Sequence, residues 1–136
     1  MPPQTTIPES HRDLLQTDVA TLTTVGADGY PQTTALWFLA EDGRIKLSLN
    51  RARQKTRNLE RNPQVTFFVL DRANPMRTLE VRARAEVAPD PDYAFADKIG
   101  KKYGGVDLRK MDRPGESRVV VTLQPVKVNA IDLSRQ

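Results

Sequence analysis

Along most of the chain apolar and polar residues alternate, and the alternation predicts strands. "VATLTTVG" (Val19–Gly26) alternates and is rich in β-branched residues. "ADGYP" then supplies an Asp-Gly turn, and "PQTTALWFLA" returns as a second strand. A further turn, "EDGR", leads into "IKLSLN", where Ile45, Leu47 and Leu49 alternate with polar positions, as in a strand with one wet face. "QVTFFVL" is continuously apolar and predicts a strand buried on both faces. "MRTLEVRARAEVAP" alternates over a longer span, and "SRVVVTLQPVKVNAIDL" makes a last strand interrupted at Pro125.

Three segments break this rhythm. "IPESHRDLL" predicts a short opening helix, with Pro8 near its first turn and Leu14 and Leu15 available to a core. The middle of "NRARQKTRNLERNP" is helical; Leu59 is its only large apolar residue, so light contact with the core is expected. Asn62-Pro63 ends it, because a residue before proline is pushed out of the α region. "DPDYAFADKIGKKYGG" predicts a helix closed by glycine, with Tyr93, Ala96 and Ile99 along one stripe. Six strands, three short helices and no βαβ rhythm predict a mainly β fold, an antiparallel barrel or sandwich. Residues 1–136 contain no repeat or linker and are expected to form a single domain.

Composition narrows the class. A chain of 136 residues, 38% hydrophobic and 28% charged, can bury a core without covalent staples. No apolar run is long enough to span a bilayer, and "MPPQTTIPES" has neither the basic start nor the apolar centre of a signal peptide. The absence of cysteine excludes disulfides, thiolate metal sites and cysteine nucleophiles, and fits a cytoplasmic protein.

Charge changes the picture more. The net value of +4 hides an uneven distribution: residues 1–40 carry one cation and four acids, whereas residues 44–61 carry seven cations and one acid. Such local concentration points to an acidic partner better than the whole-chain charge does. Other chemistry is poorly supported. His11, the only histidine, sits among charged neighbours and reads as a solvated surface residue, which argues against a Ser/His/Asp site. There is no HExxH and no clustered metal-ligand spacing, so no metal is expected. Asp90/Asp92 and Glu41/Asp42 fall in turns, where acids bond the backbone. "GKKYGG" has the wrong spacing for a phosphate loop and closes a helix rather than opening one.

The basic segment therefore carries the functional expectation. A strand runs directly into it, so backbone N–H groups at the helix start can converge on one anion. Arg53 offers a planar fork and Lys55 a point charge, while Ser48 and Asn50 bring neutral donors from the preceding strand. Together these describe a phosphomonoester site. Nucleic acid is the rival anion, but it calls for exposed aromatics; only 6% of the chain is aromatic, and Phe67-Phe68 lie in an apolar strand. A membrane surface would need a bulky apolar face that this helix lacks.

The order of features adds a resemblance. A Gly-x-Pro hairpin leads to "TTALWF", then come "RQKTRNLERNP", an apolar strand and "MRTLEVRARAEV". From about Ile7 to Leu133 the chain resembles the pyridoxamine 5′-phosphate oxidase-like split β-barrel superfamily. More narrowly, it resembles the flavin/deazaflavin oxidoreductases that use coenzyme F420. The resemblance implies a six-stranded antiparallel split β-barrel with short flanking helices, forming a homodimer with a cofactor groove at each subunit interface. It implies that Arg51, Ala52, Arg53, Gln54 and Lys55 hold the cofactor phosphate, and that Gln32, Thr33, Thr34 and Ala35 seat the ring through backbone groups. Arg77, Thr78 and Arg118 would contribute from neighbouring strands or the partner chain. Two departures stand out: Ala83 occupies a position where the branch often has glycine, and Arg51 and Arg53 replace small residues. The extra cations favour the polyglutamate tail of F420 over compact FMN.

The implied activity is reduction of a small organic acceptor by hydride from reduced F420. The acceptor would enter beside the loop Gly104–Glu116, and solvent can deliver the accompanying proton, so no catalytic residue is named. The alternatives are an FMN-dependent enzyme of pyridoxamine-phosphate-oxidase type and a non-catalytic carrier of F420, FMN or haem.

Overall fold

The alternating segments fold into one antiparallel sheet in a computed structural model that describes residues 3–134. Its strands are β1 (Ala20–Val25), β2 (Pro31–Leu36), β3 (Leu39–Glu41), β4 (Arg44–Asn50), β5 (Gln64–Asp71), β6 (Asn74–Pro89) and β7 (Arg118–Asp132). In space they run β2-β1-β5-β6-β7-β4-β3. The sheet curls into a half-barrel whose inner face carries Leu22, Phe38, Leu47, Phe67, Leu79, Val81, Val119 and Val121, all fully buried. Each such side chain contributes about 1.5–3 kcal/mol of burial free energy. β7 is the hinge of the curl: it pairs with β6 along its length and with β4 from Arg118 to Leu123.

The expected barrel forms, with seven strands rather than six. "PQTTALWFLA" does not run through as one strand but breaks at Trp37-Phe38. The Phe38 N–H donates to the Tyr103 hydroxyl at 3.1 Å, and its carbonyl accepts from Lys102 Nζ at 2.8 Å. Side chains from the last residue of the second helix and from the residue after it thus replace the ladder partners, and the chain turns before β3. The turn into β4 places Asp42 and Gly43 at φ 54° and 74°, the left-handed pair that tight hairpins need. At Pro125 the β6/β7 register skips: Arg82 pairs with Lys127 and Ala83 with Pro125, so Val126 is an unpaired bulge.

Three expectations are corrected. "QVTFFVL" is not buried on both faces: Val65, Phe67 and Val69 are buried, while Thr66 and Phe68 are half-buried and Leu70 is exposed, because no second layer among the described residues covers that side of the sheet. His11 is not solvated. The opening segment forms a 3₁₀ helix (Glu9–Gln16) that buries it, with Nε2 3.0 Å from the Ile131 carbonyl and Nδ1 2.8 Å from Ser10 Oγ. Leu59 is only 1% exposed, so α1 (Gln54–Arg61) is anchored in the core rather than lightly touching it.

The second helix, α2 (Ala94–Lys102), ends as its glycines predict. Gly105 N–H donates to the Gly100 carbonyl at 2.8 Å, with Gly104 at φ 82°. Phe95, Ala96 and Ile99 join Leu108 in a second small apolar cluster, packed against Trp37 and Tyr103. Among the described residues no helix is long and apolar enough to cross a membrane.

Candidate anion and cofactor groove

β4 ends at Asn50, the chain turns through residues 51–53, and α1 begins at Gln54. The turn is built by Asn50. Its carbonyl accepts from Arg53 N–H at 3.1 Å and Thr56 Oγ1 at 2.8 Å, and its side-chain oxygen accepts from Ala52 N–H at 2.8 Å. Arg53 is the N-cap of α1 and makes no side-chain cap bond, so the helix start keeps N–H groups available to an external anion.

This helix start opens onto a groove of about 310 Å³. One end is polar, lined by Ser48, Asn50, Arg53, Lys55 and Arg118; the other is apolar, lined by Trp37, Ile99, Leu108 and Met111. Trp37 is held flat by Tyr103, ring centroids 4.4 Å apart and planes 9° from parallel. A larger concavity of about 490 Å³ lies beside Arg82, Arg84 and Val126, away from the start of α1.

The cations divide into two sets. Arg53 and Lys55 face the groove, and Arg53 has no carboxylate partner among the described residues. Lys55 Nζ donates to Thr34 Oγ1 at 3.1 Å, and burial, aided by the Arg53 charge, lowers its pKa. Arg51 turns away to Glu60 at 3.6 Å. Gln54 lies on the far side of the helix start, donating to Asn58 Oδ1 at 2.8 Å. Asn58 in turn donates to Gln32 Oε1 at 2.9 Å, joining α1 to β2 a second time.

β2 is an edge strand, paired only with β1, so its outer backbone groups from Gln32 to Ala35 are free of ladder bonds. Thr33 spends its hydroxyl on Thr23 at 2.9 Å, and Ala35 lines the groove. Arg77 and Thr78 lie elsewhere in the chain, near the first residues of β6. There Arg77 bonds Asp13, Asp71 and the Ser10 carbonyl.

Sequence reasoning missed Asp112, the residue that joins this cluster from behind. Asp112, in the polar loop, accepts from Arg118 Nε at 2.8 Å and Nη2 at 3.0 Å, from Tyr93 Oη at 2.6 Å and from Asn50 Nδ2 at 2.9 Å. Glu116 accepts from the other Asn50 Nδ2 hydrogen at 2.9 Å. Burial opposes charge on Asp112, yet the Arg118, Tyr93 and Asn50 donors together hold its carboxyl below the usual range. Tyr93 reaches it from a left-handed backbone, φ 59°, a conformation that costs a bulky residue about 1–2 kcal/mol. Tyr93, expected on the stripe of the second helix, instead stands before its first residue, and nothing in the sequence pattern signalled its contact with Asp112. Among the described residues no three histidine, cysteine, aspartate or glutamate side chains gather as a metal site.

The profile of the family described as pyridoxamine 5′-phosphate oxidase matches residues 7–132. The chain belongs to the pyridoxamine 5′-phosphate oxidase-like split-barrel family. Within this family's fold, a solved F420 reductase is 35% identical to the chain, with a TM-score of 0.79 and coverage of 90% of this chain and 98% of that one. A conserved hypothetical protein of Mycobacterium tuberculosis has 24% identity and a TM-score of 0.76, covering 97% of this chain and 90% of that chain. HupZ of Group A Streptococcus has 19% identity and a TM-score of 0.71, covering 93% and 95% respectively; both share the fold. No curated protein matches the sequence. Split-barrel proteins of this family bind flavin and commonly form dimers.

Proposed function

We propose that this chain is an oxidoreductase that binds coenzyme F420 and passes a hydride from its reduced form to a small organic acceptor. The 35% identity to an F420 reductase over nearly the whole of both chains is the observation that carries this reading. The residues present fit such a group. An uncapped helix start with Arg53 and Lys55 suits a phosphate, and the free edge of β2 suits the polar rim of a planar ring. The groove volume of about 310 Å³ falls at the lower end of ordinary ligand sites, consistent with a second chain completing it.

In this reading Arg53 and Lys55 bind the phosphate with the α1 N–H groups, and Gln32 to Ala35 seat the ring. Ser48, Asn50, Arg51, Ala52, Gln54 and Arg118 shape the cradle around them. In a homodimer Thr78 would come from the partner subunit, with Arg77, its N–H groups spent on Asp13, Asp71 and the Ser10 carbonyl, supporting that strand end. When bound, reduced F420 supplies the hydride; the protein orients it and keeps water from the apolar end beside Trp37 and Leu108. The groove offers no committed proton donor, so solvent fills that role. Titration of the purified protein with F420 and with FMN, followed by fluorescence, tests the assignment. Submicromolar F420 affinity with weak FMN binding supports it.

FMN-dependent chemistry is the second reading, favoured by the family profile itself. It predicts a yellow protein as purified and the reverse order of affinities.

A further inference from the structure

Asn50 and Arg118 line the groove, yet most of their hydrogen-bonding groups are already engaged by other residues of the chain. Both Asn50 Nδ2 hydrogens go to carboxylates, Asp112 at 2.9 Å and Glu116 at 2.9 Å, and its Oδ1 accepts from Ala52 N–H. Four of the five Arg118 N–H groups are spent on Asp112, Ser48 Oγ and the Ser48 carbonyl. Neither side chain retains a fork for a phosphate. What they share is Asp112, whose side chain is only 4% exposed and does not line the groove.

The surrounding loop is tied down at several points. Leu108 is buried in the second apolar cluster, Arg109 bonds Asp97 at 2.7 Å, and the Glu116 carboxylate accepts from Arg113 N–H at 2.8 Å. Arg51 N–H donates to the Ser117 carbonyl at 2.9 Å. The loop therefore holds the Asn50–Arg53 turn from behind through both side-chain and backbone bonds.

We propose that Asp112 is a positioning residue for the anion cradle: through Asn50 and Arg118 it fixes the turn that aims the α1 N–H groups, Arg53 and Lys55. The proposal rests on reading the cradle as an anion site, not on which cofactor carries the anion. Its consequence runs against simple charge counting. Removing the Asp112 charge adds a net positive charge beside the groove, which by Coulomb attraction alone should tighten anion binding. If Asp112 acts by position, binding weakens instead.

The experiment compares the full-length protein with Asp112→Asn and, as a milder change, Tyr93→Phe, which removes one donor to Asp112 and leaves its charge. Hydrogen exchange of the ligand-free protein should show faster exchange in residues 50–56 for Asp112→Asn, with β5 and β6 unchanged. Affinity for FMN and for inorganic pyrophosphate should fall about tenfold, one hydrogen bond's worth, with a smaller fall in Tyr93→Phe. Asp112→Glu should restore part of the loss, which general destabilisation would not allow. Unchanged exchange in residues 50–56, or equal or tighter binding of either probe by Asp112→Asn, overturns the proposal. Weak F420 binding by the unaltered protein would instead count against the proposed function, while the exchange result would still decide the role of Asp112.

Discussion

Lys55 Nζ lies 3.1 Å from Thr34 Oγ1, so the first turn of α1 is tied to the edge strand β2 by the group expected to meet a phosphate. The same ammonium can bridge phosphate and ring-bearing strand. Lys55→Ala should weaken binding of a phosphate-bearing flavin or deazaflavin by about 1–3 kcal/mol, the scale of a charge-assisted hydrogen bond. Unaltered affinity in a fluorescence titration would remove Lys55 from the site.

The pH dependence of that contact has a defined sign. Burial, with the Arg53 charge second, depresses the Lys55 pKa in the folded chain. Between the folded and unfolded values the unfolded chain holds the proton more tightly, so stability rises with pH through that alkaline window. Anion binding moves the opposite way, because the neutral amine no longer attracts the ligand. Affinity should therefore fall at a lower pH than an ordinary lysine would give, and Lys55→Met should flatten that part of the profile.

Trp37 is the only tryptophan, and it lines the groove. Its intrinsic fluorescence should change on ligand binding and return when excess pyrophosphate displaces a phosphate-held ligand. A saturating ligand that leaves the emission unchanged would be bound elsewhere.

Gly100 shows how closely the loop approaches α2. A Cβ there would stand 2.0 Å from the Val106 carbonyl oxygen. Gly100→Ala should cost about 1–3 kcal/mol through overpacking, read as a lower midpoint in urea, and should disturb Leu108 at the groove wall.

Arg77 ties the opening 3₁₀ helix to the barrel through Asp13 and Asp71. Arg77→Met should destabilise the fold by about 1–2 kcal/mol. The Asp13 carboxyl is held low chiefly by its hydrogen bond to Arg77, so its contribution is present above the unfolded carboxylate range and lost as pH falls through the folded value. The variant should lose less stability than the unaltered protein on acidification. A parallel pH profile in both would show the pair to be energetically silent.

How far the sequence could be read depended on the range of each interaction. The strand-to-helix turn with Arg53 and Lys55 was legible because its parts are local and their charges conspicuous. The hub at Asp112 was not, because its partner Asn50 lies 62 positions away and an acid in a polar loop looks like any turn residue. His11 escaped for the same reason: the carbonyl that accepts its ring is 120 residues on. The break at Trp37-Phe38 also depended on distant groups, Lys102 and Tyr103, competing for backbone bonds that a local pattern assigns to the sheet. The edge position of β2 is a property of topology, and only the resemblance pointed to Gln32–Ala35 in advance.

An open sheet leaves two rims, and here they are unequal: β3 presents three residues and β2 presents six. The longer rim, Pro31–Leu36, is also where the ring would sit. A backbone left unpaired for a guest can equally well accept a strand from a neighbouring molecule, and Pro31 guards only its first position. Occupancy would then act as a chaperone, sealing the rim against sticking. Light scattering on gentle heating should rise later in the presence of ligand than in its absence, by more than the shift in melting temperature alone explains.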